Sequence, residues 1–124
     1  MKRIIFTGLM LVTMAPAMAQ EAMDDGSMVV LPITAQQCNL PNAPPPIPEV
    51  PVKEDLLRAQ KGVKNFQTDM EAYRECVNHD VLSKDLSDGN RQAITNAHNY
   101  SVDMEERVAD MFNEAVRAYK KNQK

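Results

Sequence analysis

Two cysteines, Cys38 and Cys76, are the side chains of this 124-residue chain that are best suited to covalent chemistry. Because two cysteines allow one internal pairing, we expect a Cys38–Cys76 disulfide, and the alternatives are two free thiols or an intermolecular bridge. No Cys-x-x-Cys motif is present, so the spacing does not favour thiol–disulfide catalysis. A structural disulfide would constrain the unfolded chain by about 4 kcal/mol in the loop-entropy model.

The two histidines, His79 and His98, are the candidates for acid–base or metal chemistry near neutral pH. They share no metal-ligand spacing, and we expect them to lie apart on two helices, so the sequence predicts no metal site. Met70, Met104 and Met111 carry the soft sulfur that copper(I) prefers. Each occupies a position of a seven-residue apolar repeat, which favours packing in a helical core instead. We therefore expect no cofactor.

Acidic side chains at Asp103, Glu106 and Asp110 form a predicted exposed face on one helix. Glu106 and Asp110 are like charges four residues apart, which is mildly unfavourable on an isolated helix. We interpret this face as a candidate docking surface. The chain has no nucleophile elbow and no phosphate-binding loop, and a pair of helices offers no cleft to bury a catalytic acid. The sequence therefore predicts a protein that is not an enzyme.

The first nineteen residues have the pattern of a secretion signal. Lys2 and Arg3 precede the apolar stretch 4–12, which is too short to span a bilayer, and Ala-Met-Ala at 17–19 is typical of a cleavage site. We expect a periplasmic or secreted chain that begins at Gln20 and has no stable membrane insertion after cleavage. The alternative is an N-terminal anchor helix.

The net charge of −3 becomes −5 once Lys2 and Arg3 are removed with the signal. An acidic chain without a basic stripe is a poor candidate for binding nucleic acid or anionic lipid. The expected partner is another protein or a second copy of this chain.

Two segments of irregular composition precede the helices. Residues 20–37 show little periodicity and are predicted to form a flexible tail. Residues 38–52 contain six prolines, which favour extended polyproline II geometry. We expect a stiff strap there, and the alternative is a ligand for a proline-reading groove.

Residues 53–121 contain two stretches with an unbroken seven-residue apolar repeat, about 53–83 and 90–121. The repeat positions are Leu56, Ala59, Val63, Phe66, Met70, Tyr73 and Val77 in the first, and Ile94, Ala97, Ser101, Met104, Val108, Met111, Ala115 and Ala118 in the second. The break at 84–90 contains Ser87, Asp88 and Asn90, which are all competent helix N-caps.

These elements predict an all-α fold: an antiparallel, coiled-coil-like hairpin of two helices with an N-terminal proline-rich strap tied by the disulfide. With the turn near residue 86, Met70 lies beside Met104, and His98 lies opposite Arg74. A bare two-helix hairpin of this size is marginal. Either the strap completes the core, or two copies pair into a four-helix bundle.

Several short motifs resemble those of small exported proteins of Gram-negative bacteria, a family without an assigned function. They are Cys38-x-x-Pro41-x-x-Pro44, Ala59-Gln60-Lys61-x-Val63-Lys64, Tyr73-x-x-Cys76 and Val102-Asp103-x-Glu105-x-x-Val108-Ala109-x-x-Phe112-Asn113. The resemblance implies a periplasmic helical hairpin and transfers no catalytic residue.

We therefore expect an exported, non-enzymatic protein that acts through a helical surface, by protein interaction or in an envelope structural role. The alternative is a periplasmic hairpin that binds a small ligand or a metal, with His79 and His98 as the metal candidates.

Overall fold

The computed structural model of the chain describes residues 22–123, which form three helices in the order α1 (Ile33–Gln36), α2 (Lys53–Val77) and α3 (Asp88–Asn122). The β pairing found in this range is an isolated bridge between Ala22 and Met28. The predicted all-α class is confirmed. The predicted signal peptide, residues 1–19, lies outside the described residues. None of the described helices has the length and apolarity needed to cross a membrane.

Helix α2 begins with its first turn stabilised by an acidic side chain. The Asp55 carboxylate accepts a hydrogen bond of 3.0 Å from the Val52 N–H. The helix was predicted to reach residue 83, but it ends at Val77. The Asn78 side-chain amide donates to the Arg74 carbonyl at 2.8 Å. This carbonyl, in the last turn of α2, therefore has a side-chain partner in addition to the backbone hydrogen bonds of the helix.

Residues 78–83, predicted to be helical, form successive turns instead. The Arg91 guanidinium of α3 donates to the Val81 carbonyl at 2.8 Å and to the Ser83 carbonyl at 2.7 Å. A distant arginine therefore supplies hydrogen bonds that a continued helix would have supplied locally, and the link between α2 and α3 is longer than predicted.

Helix α3 starts at Asp88, about two residues before the predicted start, and Ser87 is the one of the three candidate N-caps that forms the cap. The Ser87 hydroxyl accepts from the Asn90 N–H at 3.1 Å, and the Asn90 side-chain oxygen accepts from the Ser87 N–H. The helix then continues for 35 residues, about 52 Å, whereas α2 has 25 residues and is about 37 Å long. The first turns of α3 therefore extend past the end of α2.

The two long helices pack along each other around one apolar seam. Its buried residues are Phe66, Met70, Tyr73 and Val77 of α2, and Ile94 and Val108 of α3. The helices run in opposite directions, since Arg74 bonds to Glu105 while Asn78, four residues later and just past the end of α2, lies near His98. The predicted pairing of His98 with Arg74 is therefore wrong by about one helical turn.

The Cys38–Cys76 disulfide is present, with the two Cα atoms 5.8 Å apart. Cys38 also packs against the buried seam. The predicted pairing of the two cysteines is confirmed.

The predicted tail, residues 20–37, differs from the prediction over its described part. Ser27 Oγ accepts from the Gly89 N–H at 2.8 Å, and an Asp25 carboxylate oxygen accepts from the Asp88 N–H at 3.1 Å. The first amides of a helix have no partners within the helix, so this segment serves as a second cap for α3. Short helix α1 follows, and its Ala35 is buried.

Hydrogen bonds also favour the ionised form of Asp25 in this second cap. The pKa of Asp25 is lowered, first by the Ser27 hydroxyl and the Ser27 backbone N–H and then by the Asp88 N–H. The ionised carboxylate is therefore the form that holds the segment against α3.

Two glycines give a matched pair of stability predictions. A Cβ at Gly89 would collide with the Met28 carbonyl, so Gly89→Ala should destabilise the protein by about 2 kcal/mol, as overpacking does. A Cβ at Gly62 would lie 3.6 Å from the Pro44 Cβ, an ordinary contact in a helix interior, so Gly62→Ala should stabilise by about 0.5–1 kcal/mol. Denaturant unfolding of both variants measures the sign of each change in the free energy of unfolding. Stabilisation by Gly89→Ala would contradict the docking of residues 27–28 on α3.

Candidate interaction surfaces and binding groove

The proline-rich segment, residues 38–52, shows a three-residue burial period over its first part. Cys38, Pro41, Pro44 and Ile47 are half-buried, whereas the residues between them are exposed. Polyproline II geometry has three residues per turn, so these four positions lie on one side of such a helix. That side faces α2, as shown by the approach of Pro44 to Gly62.

A hollow of about 310 Å³ lies between this segment and the C-terminal part of α3. Residues 46–49 form one wall, and Met111, Ala115 and Ala118 form an apolar floor, with Glu114 beside them. We call this hollow the α3 groove. Ala115 and Ala118 end at Cβ, and proline rings cannot extend to reach them, so the space between the two elements stays open.

The predicted acidic face is exposed, and it lies on the side of α3 away from the seam. Asp103, Glu106 and Asp110 are all exposed. Asp103 forms a 3.0 Å ion pair with Arg107, so its charge is partly balanced. Glu106 and Asp110 have no ion-pair partner among residues 22–123.

The two histidines have different hydrogen-bonding neighbours. His79 is exposed, and its Nδ1 lies 3.0 Å from an oxygen of Asp80. His98 Nδ1 lies 3.4 Å from the Asn78 side-chain nitrogen on the other side of the link. Within the described range, no group of three or more His, Cys, Asp and Glu side chains is arranged to hold a metal ion.

The three methionines of the repeat have different environments. Met70 is fully buried and Met104 packs against the seam, as predicted. Met111 was expected in the core, but its exposed fraction is 47% and it lies in the α3 groove. Val108 and Ala115, the repeat positions on either side of Met111, are buried, so Met111 is an exposed position within the repeat rather than one beyond its end.

A polar cluster inside the seam was missed at the sequence level. Arg74, which spacing placed on the solvated face, donates to Ser101 Oγ at 3.3 Å and to a Glu105 carboxylate oxygen at 3.1 Å. Ser101 is fully buried and donates to the His98 carbonyl at 2.6 Å. A serine within an apolar repeat was the available signal, because a buried hydroxyl needs a partner.

The disulfide borders a wide hollow of about 500 Å³, with Asp69 and Tyr73 of α2 on its lining. Burial raises the pKa of Tyr73, and the nearby Tyr100 adds to the rise. The phenol is therefore a neutral hydrogen-bonding group at physiological pH. This arrangement can bind polar groups, and its two cysteines are bonded to each other, so neither presents a free thiol.

The chain matches no family model, no curated protein and no solved structure. The resemblance to small exported proteins of Gram-negative bacteria stays a prediction.

The seam cluster gives a prediction about energetic coupling. Arg74 and Glu105 have side chains 19% and 21% exposed, whereas Arg107 and Asp103 are 69% and 52% exposed. A double-mutant cycle with Arg74→Met and Glu105→Gln should show a coupling of about 1 kcal/mol. The matched cycle with Arg107→Met and Asp103→Asn should show about 0.3 kcal/mol, because water screens the exposed pair. Equal couplings in urea unfolding would contradict the buried role of the seam cluster.

Proposed function

We propose that this protein is exported, to the periplasm or beyond, and acts without catalysis by binding a partner protein through the outer acidic face of α3. The observation that carries the proposal is the division of α3 into two faces. The inner face packs on α2, while Asp103, Glu106 and Asp110 are exposed on the outer face.

Electrostatics support this choice of surface. Glu106 and Asp110 repel each other weakly at their four-residue spacing, and a cationic surface would relieve that repulsion. Complementary charge also raises the rate of encounter and disfavours wrong partners. The partner expected from this chemistry is a protein with a basic patch.

The disulfide supports export. Disulfides persist in oxidising compartments and are rare in the cytosol. The Cys38–Cys76 bond therefore fits the secretion pattern of residues 1–19.

We further propose that residues 38–52 act as a strap that completes a helical hairpin. The three-residue burial period, the approach of Pro44 to Gly62 and the burial of Pro51 support this role. Two helices alone bury too little apolar area for independent stability, and a third element lying along them increases it.

Removing the disulfide tests the strap. The double variant Cys38→Ser/Cys76→Ser avoids a free thiol and should lose up to about 4 kcal/mol, because the unfolded chain regains loop entropy. Its melting temperature should match that of the reduced wild-type protein, and reductant should not lower it further. If the oxidised and reduced wild-type proteins melt together, the strap does not stabilise the fold.

Site-specific photo-crosslinking tests the acidic face. A photoreactive residue at exposed Asn113, close to Glu106 and Asp110 on α3, should give one discrete adduct in the envelope of a Gram-negative host. The adduct should disappear in the Glu106→Gln/Asp110→Asn background and weaken as salt rises.

Two matched controls accompany this experiment. Glu71→Gln/Glu75→Gln neutralises exposed carboxylates at the same spacing on α2 and should leave the adduct unchanged. A photoreactive residue at exposed Gln67 on α2 should not form this adduct. An adduct that survives neutralisation of the acidic face, or one that contains two copies of this chain, would overturn the proposed heterologous partner. Retention of residues 1–19 on the recovered chain would overturn cleavage after Ala19, and recovery of the chain in the cytoplasmic fraction would overturn export.

A further inference from the structure

The α3 groove has features that the proposed protein interaction does not use. Its floor is apolar, and its volume of about 310 Å³ is at the lower end of the range of small-ligand pockets. Met111 lies along it with nearly half of its side chain exposed. A methionine is flexible and polarisable, so it adapts to an apolar ligand at little cost.

The groove continues towards the interior. A second, smaller hollow of about 30 Å³ lies beneath Pro44 and Pro45, against Val63 and Val108. Met111 lines both hollows, and so does Ile47. The two hollows therefore adjoin at these side chains, and their lining residues on α3, from 108 to 118, span about 15 Å.

The charge at the groove has one sign. Its charged lining residues in the described part of the chain are Glu49 from the proline-rich segment and Glu114 from α3. On the other side of the same segment, a hollow is lined by both Asp55 and Arg58, which form an ion pair at 3.4 Å. The α3 side thus has two carboxylates beside an apolar floor, whereas the α2 side already contains its own cation.

We propose that the α3 groove binds an amphipathic cation, a molecule with an unbranched apolar chain and an ammonium head. The chain lies on Met111, Ala115 and Ala118, where each buried methylene contributes about 0.8 kcal/mol. The head lies between the carboxylates of Glu49 and Glu114. Anionic amphiphiles of the same length are repelled by these two groups.

Methyl NMR with three probes tests the proposal. Decyltrimethylammonium, below its critical micelle concentration, should shift the methyl signals of Met111, Ala115 and Ala118 in a saturable way. Decyl sulfate has the same chain and the opposite charge. Its affinity should be at least about fivefold lower than that of decyltrimethylammonium, as the loss of two exposed ion pairs implies. Tetramethylammonium, the head alone, should shift none of these signals.

Two variants separate the apolar and the charged contributions. Ala118→Leu fills the groove and should abolish the response to decyltrimethylammonium. Glu49→Gln/Glu114→Gln should weaken the cation about fivefold and reduce the difference between the two detergents. The control Glu54→Gln/Glu106→Gln removes two exposed carboxylates outside the α3 groove, and it should leave the affinities for both detergents unchanged.

Specific outcomes would overturn the proposal. Equal affinity for both detergents would remove the charge preference, and shifts that persist in a folded Ala118→Leu variant would place binding elsewhere. If Ala118→Leu does not fold, the glutamine variants decide the matter, because they are isosteric and exposed. These results are independent of the acidic face, so either proposal can fail alone.

Discussion

Burial of the apolar seam between α2 and α3 positions the other features of the molecule. Met70 and Ile94 in this seam are almost completely excluded from water. Because the seam takes one side of each helix, it directs the acidic face of α3 outward. It also places Cys76 on the edge of α2, within reach of Cys38. The proline-rich segment then lies along the helices, and the α3 groove is the space that it leaves unfilled.

Features set by local chemistry could be predicted, and features set by distant contacts could not. The seven-residue repeat predicts two long helices, and the Ser87 cap forms from residues three apart. The turns of residues 78–83 after α2 are held by Arg91, whose guanidinium bonds to the Val81 and Ser83 carbonyls. The docking of residues 25–30 depends on amides at the start of α3. Aspartate and serine are common in loops, so nothing in the local sequence indicates that Asp25 and Ser27 cap a helix more than sixty residues away.

The candidate sites show the same division. Exposure of Asp103, Glu106 and Asp110 follows from their place opposite the apolar repeat, and the structure has them exposed. The exposure of Met111 does not follow, because a repeat position is buried only where a neighbouring element covers it, and the spacing within α3 does not specify that cover. The α3 groove depends on where a proline-rich segment lies in space, which its composition does not specify. The buried Ser101 was a usable signal for the seam cluster, since a hydroxyl in an apolar repeat implies a donor nearby.

The two attachments of the N-terminal part of the chain have a consequence for the order of folding. Cys38 bonds to a residue 38 positions later, and the caps from Asp25 and Ser27 reach 63 and 62 positions ahead. Contacts of such long range close slowly, because chain entropy is lost before they form. During synthesis from the N-terminus, residues 22–51 emerge before α2 and α3 and yet find their partners last. The first half of the chain must therefore wait, open to proteases and chaperones, until the start of α3 has emerged.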